Sequence, residues 1–329
     1  MENDVIIRPN NLIGNQVSQD HIETLYEYTQ KKLAPNSTLA YSFGWAKFET
    51  WLDEHGYSLN LNARDIALHV GAFLSDMAKT GSLKYRSLVS YHAAIKSHVR
   101  DKYQIELDHP EIKNAMKGIR NTLKQAPVKK EAIKAEHVSL MVSNLKNSSR
   151  LIDKRDRALL LLGFSGAFRR SELVSIEVEH ISYDEEGISI HIPSSKTDQA
   201  GEGQHIEIPK RSNDENCPIE ALMDWLKISG ISRGTIFRSV TRHGAISSKN
   251  LTGKSVAEIL KRRAKELFED TKDISGHSLR RGFVMSSLEA DVDLVSIMNQ
   301  TRHASVNTLK EYSSDKKNYK TNALNSIQL

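Results

Sequence analysis

A chain of 329 residues with 39% hydrophobic and 26% charged side chains has the make-up of a globular protein of about two domains, at roughly 150 residues each. Its 17 glycines and 7 prolines exclude collagen-like and linker-like chains, and its longest apolar run, 158–164, is far short of the roughly 20 residues that a bilayer crossing needs. A single cysteine, Cys217, excludes an internal disulfide and any Cys-x-x-Cys metal or redox pair, while 46 Lys and Arg against 41 Asp and Glu leave a net charge of +5, a mild bias towards polyanions.

Residues 1–16 show no apolar period and read as a flexible lead-in. Acids at Glu2 and Asp4 stand where a secretory signal would be basic, so a cytoplasmic location is expected. Ser18 then caps an amphipathic helix through Ile22, Leu25 and Tyr26 that stops near Ala34 and Pro35. A second helix, capped by Ser37 or Thr38, carries Tyr41, Trp45, Phe48, Trp51 and Leu52 at helical spacing and closes at His55 and Gly56. Those aromatics are read as core. Helices are expected over 63–79, 84–99 and 110–123, with no strand-like alternation, so 17–122 reads as an all-helical domain. In its fourth helix Lys84, Arg86, Lys96 and Arg100 lie among aromatic and polar neighbours. A solvated charged face and a DNA-contacting face both fit them.

Basic residues crowd the stretch that follows: Lys113, Lys117, Arg120, Lys124, Lys129, Lys130 and Lys134, opposed within it only by Glu131. Pro127 breaks the helix, so 123–131 reads as a basic linker, either a tether or a source of salt-sensitive contact with phosphates. The remainder, 132–329, opens with helices over 134–147 and from Asp153 through Leu162. Ile188, Ile190 and Ile192, then Ile206 and Ile208, alternate with polar residues and predict a small antiparallel hairpin, the one convincing strand signal. Helices resume over 218–229 and 255–268, and short helical segments follow Ile274.

Four segments of this half carry polar residues that packing does not require. Ser165 and Gly166 should end a helix and set Arg169 at the start of the next, with Glu172 three residues on and on the same face, where an ordinary ion pair is one reading. Lys196 sits at the end of the first hairpin strand, before a loop. His277 and Arg280 form an i, i+3 pair. His303 precedes a helix capped by Ser305, on which Val306, Leu309 and Tyr312 share a face.

In residue type, order and spacing these segments resemble the tyrosine recombinases, the phage-integrase class with its Cre-like branch. The family pattern is an arginine in Arg-x-Ser-Glu-Leu, a hairpin lysine, His-x-x-Arg, a second histidine or tryptophan, and a tyrosine nine residues beyond. The resemblance covers about 135–315, and more loosely the N-terminal helices. It implies a mainly α fold with a small antiparallel sheet, in which a helical core-binding domain and an α+β catalytic domain clamp duplex DNA. The chemistry implied is strand cleavage and rejoining through a 3′-phosphotyrosine at Tyr312, with Arg169 and Arg280 on the phosphate and His277 helping the phenol lose its proton. Lys196 would protonate the leaving 5′ oxygen, His303 would hydrogen-bond the phosphate, and Glu172 would orient the first arginine.

Two permanently charged, forked guanidiniums suit a phosphodiester gaining charge, and a phenol of pKa near 10 needs such help at neutral pH. No metal and no cofactor is implied. The partner expected is double-stranded DNA bearing specific sites, bound by a homotetramer that is monomeric when free and joins the nucleoid when active. Arg238, Arg242 and His243 are further expected phosphate contacts. Departures from the common pattern are Ser278, Arg281, Gly282, and Arg302 where glycine is usual. Rival readings are a type IB topoisomerase or hairpin-forming resolvase, and a DNA-binding protein that has lost catalysis.

Overall fold

Helix ends follow local signals closely. In the computed structural model, which describes residues 17–313 except 31, 33–34, 82, 125–130, 194–202, 212–214 and 304, the chain divides into two units, Met1–Pro127 and Val128–Leu329. The first holds α1 (Gln19–Gln30), α2 (Pro35–Glu54), α3 (Ala63–Lys79), α4 (Tyr85–Tyr103) and α5 (Pro110–Leu123). Asn62 caps α3 by accepting the Asp65 N–H at 2.8 Å. Pro35 itself starts α2, two residues before the expected Ser37, because a proline at the first helical position loses no helical hydrogen bond. The fourth helix runs to Tyr103, past the expected 99, and ends where Gln104 turns left-handed at φ 57°.

Phe48, Trp51, Phe73, Leu88, Ile95 and Ile112 form the buried core of this unit. The Trp51 indole donates to Asp76 Oδ2 at 2.9 Å, and Trp45 stacks on His98 with ring centroids 3.7 Å apart. Lys84, Arg86 and Arg100 are exposed on α4, and Lys96 is half-buried.

The second unit contains α6 (Ala135–Ser143), α7 (Leu151–Ser165), α8 (Arg170–Ser175), β1 (Ile181–Tyr183), β2 (Gly187–Ile192), β3 (Gln204–Pro209) and α9 (Pro218–Ser229). After them come β4 (Arg238–Val240), β5 (Ile246–Asn250), α10 (Gly253–Ala264), α11 (Ser278–Glu289), α12 (Leu294–Thr301) and α13 (Val306–Ser313). Antiparallel β2 and β3 pair Ile188 with Ile208 and Ile190 with Ile206, which sends both isoleucine rows to one buried face.

Several elements of this unit depart from expectation, α10 among them, which runs over Gly253–Ala264 rather than 255–268. The hairpin gains a third strand, β1, and β4 with β5 forms a second, two-stranded antiparallel sheet. Neither β1 nor β4 is longer than three residues, too short for alternation to show. Helix α6 also stops at Ser143 rather than 147.

Helix α7 is the centre of this unit. Its C-terminal half is leucine, but its first turns bury Asp153, Arg155, Asp156 and Arg157. Fully buried Asp156 pairs with Arg155 at 2.7 Å and with Arg262 and Arg263 of α10 at 2.6 Å each, so one carboxylate ties two helices together. At the other end a Cβ on Gly163 would lie 2.9 Å from Leu173 and 3.0 Å from Leu279, so α7, α8 and α11 converge there. The start of the unit is pinned to α11: Ile133 donates its N–H to Ser278 O at 3.0 Å, and a Cβ on Gly282 would fall 1.7 Å from Ile133 O. Among the described residues no helix is long and apolar enough to cross a membrane.

Candidate active site

The convergence at Gly163 brings two arginines towards one place. Arg169 is the N-cap of α8, and Glu172, three residues into the turn, accepts both its N–H at 2.9 Å and its Nη1 at 2.6 Å. That half of a capping box orients the carboxylate from the backbone and the guanidinium from the carboxylate. Arg280, on the first turn of α11, is 1% exposed and gives Nη1 to Ala167 O at 2.9 Å. Among the described residues its Nη2 has no protein partner, which leaves a buried donor for a ligand. Loss of water, with Arg169 and Arg302 nearby, presses the Arg280 pKa down to about 9, still charged at neutral pH.

Tyr312 faces these residues from α13. Its ring packs with Val284, Ile297 and Leu309, and its hydroxyl lies 3.0 Å from His277 Nε2. The Arg281 guanidinium stands 5.6 Å from the phenol ring centroid. Loss of water around the ring, then Arg280, Arg281 and Arg169, lowers the His277 pKa below its ordinary value, although the residue as a whole is exposed. His303 is 6.2 Å from the Tyr312 ring, centroid to centroid, and its Nδ1 lies 2.8 Å from Thr301 Oγ1. Burial, then Arg280 and Arg169, pushes the His303 pKa down to about 4. Both imidazoles are therefore neutral at neutral pH, and a neutral Nε2 on His277 is free to accept the phenol hydrogen.

Beneath the site lies Arg302, whose Nη2 reaches Glu172 Oε2 at 2.7 Å. Burial pushes the Glu172 carboxyl up, but the charge of Arg302 and the hydrogen bonds from Arg169 outweigh it and hold the group below the usual carboxylate range. Reading the sequence missed this partner of Glu172, since 130 residues separate the two. The one signal available was an arginine at a position where the family has glycine.

A tyrosine held against a neutral histidine, beside two arginines fixed by one turn and one carboxylate, is a phosphoryl-transfer arrangement, and residues 131–318 match the phage integrase family. The chain belongs to that family. It is 35% identical over 299 residues to an integrase/recombinase xerD homolog of Selenomonas ruminantium, covering 91% of this chain and 87% of the relative. A tyrosine recombinase XerC of Alcanivorax borkumensis is 23% identical, covering 86% and 85%. In fold it is similar to a lambda integrase dimer bound to a COC' core site, at TM-score 0.61 and 15% identity, covering 91% of this chain and 94% of that one.

In this integrase the structure gathers Arg169, Glu172, His277, Arg280, His303 and Tyr312. Lys196 lies outside the described residues, as do Lys129 and Lys130 of the linker, and the lead-in 1–16. The expected phosphate contacts divide. Arg238 spends its side chain on the loop that leads into β4, giving Nη2 to Arg233 O at 2.7 Å and Nε to Thr235 O at 3.2 Å, whereas Arg242 and His243 are exposed at the β4–β5 turn, 3.0 Å apart.

Proposed function

We propose that this integrase is a site-specific DNA recombinase that cuts and rejoins strands through a 3′-phosphotyrosine at Tyr312. The observation that carries the reading is the 3.0 Å contact of His277 Nε2 with the Tyr312 hydroxyl, beside Arg169 and Arg280. The phenol proton passes to His277 as Oη attacks phosphorus. The bond from phosphorus to the 5′ oxygen breaks, and Lys196 supplies the proton that this oxygen takes up. Arg169 and Arg280 neutralise the two non-bridging oxygens while charge builds on them. His303 donates Nε2–H to the same phosphate, which requires the Thr301 hydroxyl to turn its hydrogen towards Nδ1. Rejoining is the reverse, with a new 5′ hydroxyl as nucleophile. The phosphodiester energy is kept in the protein–DNA link, so the exchange is balanced without a nucleotide cofactor.

Exchange between two duplexes cuts four strands, one tyrosine to each, which favours a homotetramer on DNA assembled from free monomers. The partner is duplex DNA carrying the recombination sites, met in the cytoplasm at the nucleoid. Lys84, Arg86, Lys96, Arg100, Lys129, Lys130, Arg242 and His243 add salt-sensitive contacts with its backbone.

A covalent-trapping assay tests the reading. The protein is incubated with pooled duplexes that include the flanks of its own gene, some nicked to prevent rejoining, then denatured, and the attached DNA is sequenced. Retention by the wild type and its loss in Tyr312→Phe are expected. Binding without retention, on nicked duplexes as well, would leave a DNA-binding protein only. Relaxation at one site with no exchanged partners would mark a topoisomerase.

A further inference from the structure

Arg302 occupies a backbone conformation that costs it something. Its φ of 57° and ψ of 44° are left-handed, a region that glycine enters freely and arginine does not. Its side chain is 3% exposed. A charged residue in a strained and buried place persists where its surroundings hold it there.

The contacts say what the surroundings are. Nη2 of Arg302 lies 2.7 Å from Glu172 Oε2 and 3.4 Å from Ala167 O, and Nη1 lies 3.3 Å from both Gly166 O and Gln300 O. Its guanidinium sits 5.4 Å from the Phe168 ring centroid. Each of the first two acceptors also holds one arginine of the site: Glu172 takes Arg169, and Ala167 O takes Arg280. Ala167 is itself left-handed, at φ 45°, which is how a turn residue comes to offer its carbonyl to two guanidiniums at once. Charge balance runs the same way. Glu172 alone would cancel much of the Arg169 field, whereas with Arg302 beside it three guanidiniums face one carboxylate. Two positive charges are left for an oxyanion that approaches two negative charges in the transition state.

We infer that Arg302 is a positioning residue of this site, one that holds Glu172 and the Ala167 carbonyl so that Arg169 and Arg280 meet one oxyanion with both charges available. The inference rests on the recombinase reading for its purpose, but not for its test.

The test uses inorganic phosphate as the probe, titrated calorimetrically into the full chain and into Arg302→Gly and Arg302→Lys, at a temperature where circular dichroism shows all three folded. Phosphate should bind the wild type, bind Arg302→Gly about ten-fold more weakly, and bind Arg302→Lys at an intermediate level, because lysine keeps the charge but not the fork. The melting temperature of Arg302→Gly should fall, since Glu172 loses a buried charged partner and glycine's ease in the left-handed backbone offsets only part of that. If Arg302→Gly fails to fold, Arg302→Lys carries the comparison. Equal affinity for phosphate in the wild type and the folded variant, or no binding by the wild type, overturns the inference.

Covalent trapping on the pooled duplexes separates this from the parent reading. No trapping by the wild type, with the phosphate difference intact, removes the recombinase and leaves the positioning role. Normal trapping with no phosphate difference removes the role of Arg302 alone. If both hold, Arg302→Gly should retain DNA in gel shifts while forming the covalent link more slowly.

Discussion

At the residue scale the decisive pair is a phenol and an imidazole. A neutral His277 accepts the Tyr312 proton and a protonated one does not, and its pKa lies below the ordinary value of about 6.5. The rate of covalent attachment should therefore be flat at neutral pH and fall on acidification only below pH 6.5, and His277→Gln should remove that acid limb. Single-turnover attachment rates from pH 5 to 8 check this. The same depressed pKa values make an unfolded chain bind more protons than the folded one as pH drops through about 6.5, so stability should decline with acidification, with His303 contributing down to about 4. At the phosphate, Arg280→Lys keeps a charge and loses the fork. A loss of about 10²–10³ in attachment rate, with DNA affinity nearly unchanged, is expected from transition-state donors of this kind.

Among the elements, the junctions carry the risk. Alanine in place of a helical glycine ordinarily stabilises by about 1 kcal/mol, but at Gly282 the added carbon would fall 1.7 Å from a backbone oxygen that has no rotamer to escape into. Gly282→Ala should therefore destabilise by about 3 kcal/mol, read from urea unfolding, because overpacking against the main chain outweighs propensity. Asp156→Asn would leave buried Arg155 beside a neutral amide and half-buried Arg263 with Asp153 alone, and a loss of about 3 kcal/mol follows from uncompensated charge.

How far these elements were legible depended on the range of the signal. Helices α3, α5 and α9 keep the expected bounds of 63–79, 110–123 and 218–229, and the caps found there, Asn62 before α3 and left-handed Gly230 after α9, act within one turn. The β4–β5 sheet was hidden because Arg-Ser-Val and Ile-Ser-Ser-Lys-Asn carry no buried row, and its order comes from neighbours such as Thr235, whose hydroxyl meets Asn250. Glu172 and its short-range partner Arg169 could be read from the chain, whereas Arg302 could not, being brought there only by tertiary folding.

For the whole molecule, the buried core of the first unit and the larger core of the second have no residue in common, which implies two cooperative blocks. Calorimetry without DNA should show two transitions. Phe73→Ala should lower only one, by about 3–5 kcal/mol, and Trp225→Phe, which loses the indole bond to Ile236 O, should move only the other. The mainly helical class was legible because helical periodicity is a local signal.

Near the start of its second unit the chain bonds through Glu131 to Asp273 and through Ile133 to Ser278, with Ile133 wedged against Gly282 so that no methyl group fits. Helix α11, which bears Arg280, is thus bonded directly to that backbone. Ile133 and the turn that carries Arg280 are therefore one piece, and a substitution that frees Ile133 from Gly282 should also loosen the guanidinium.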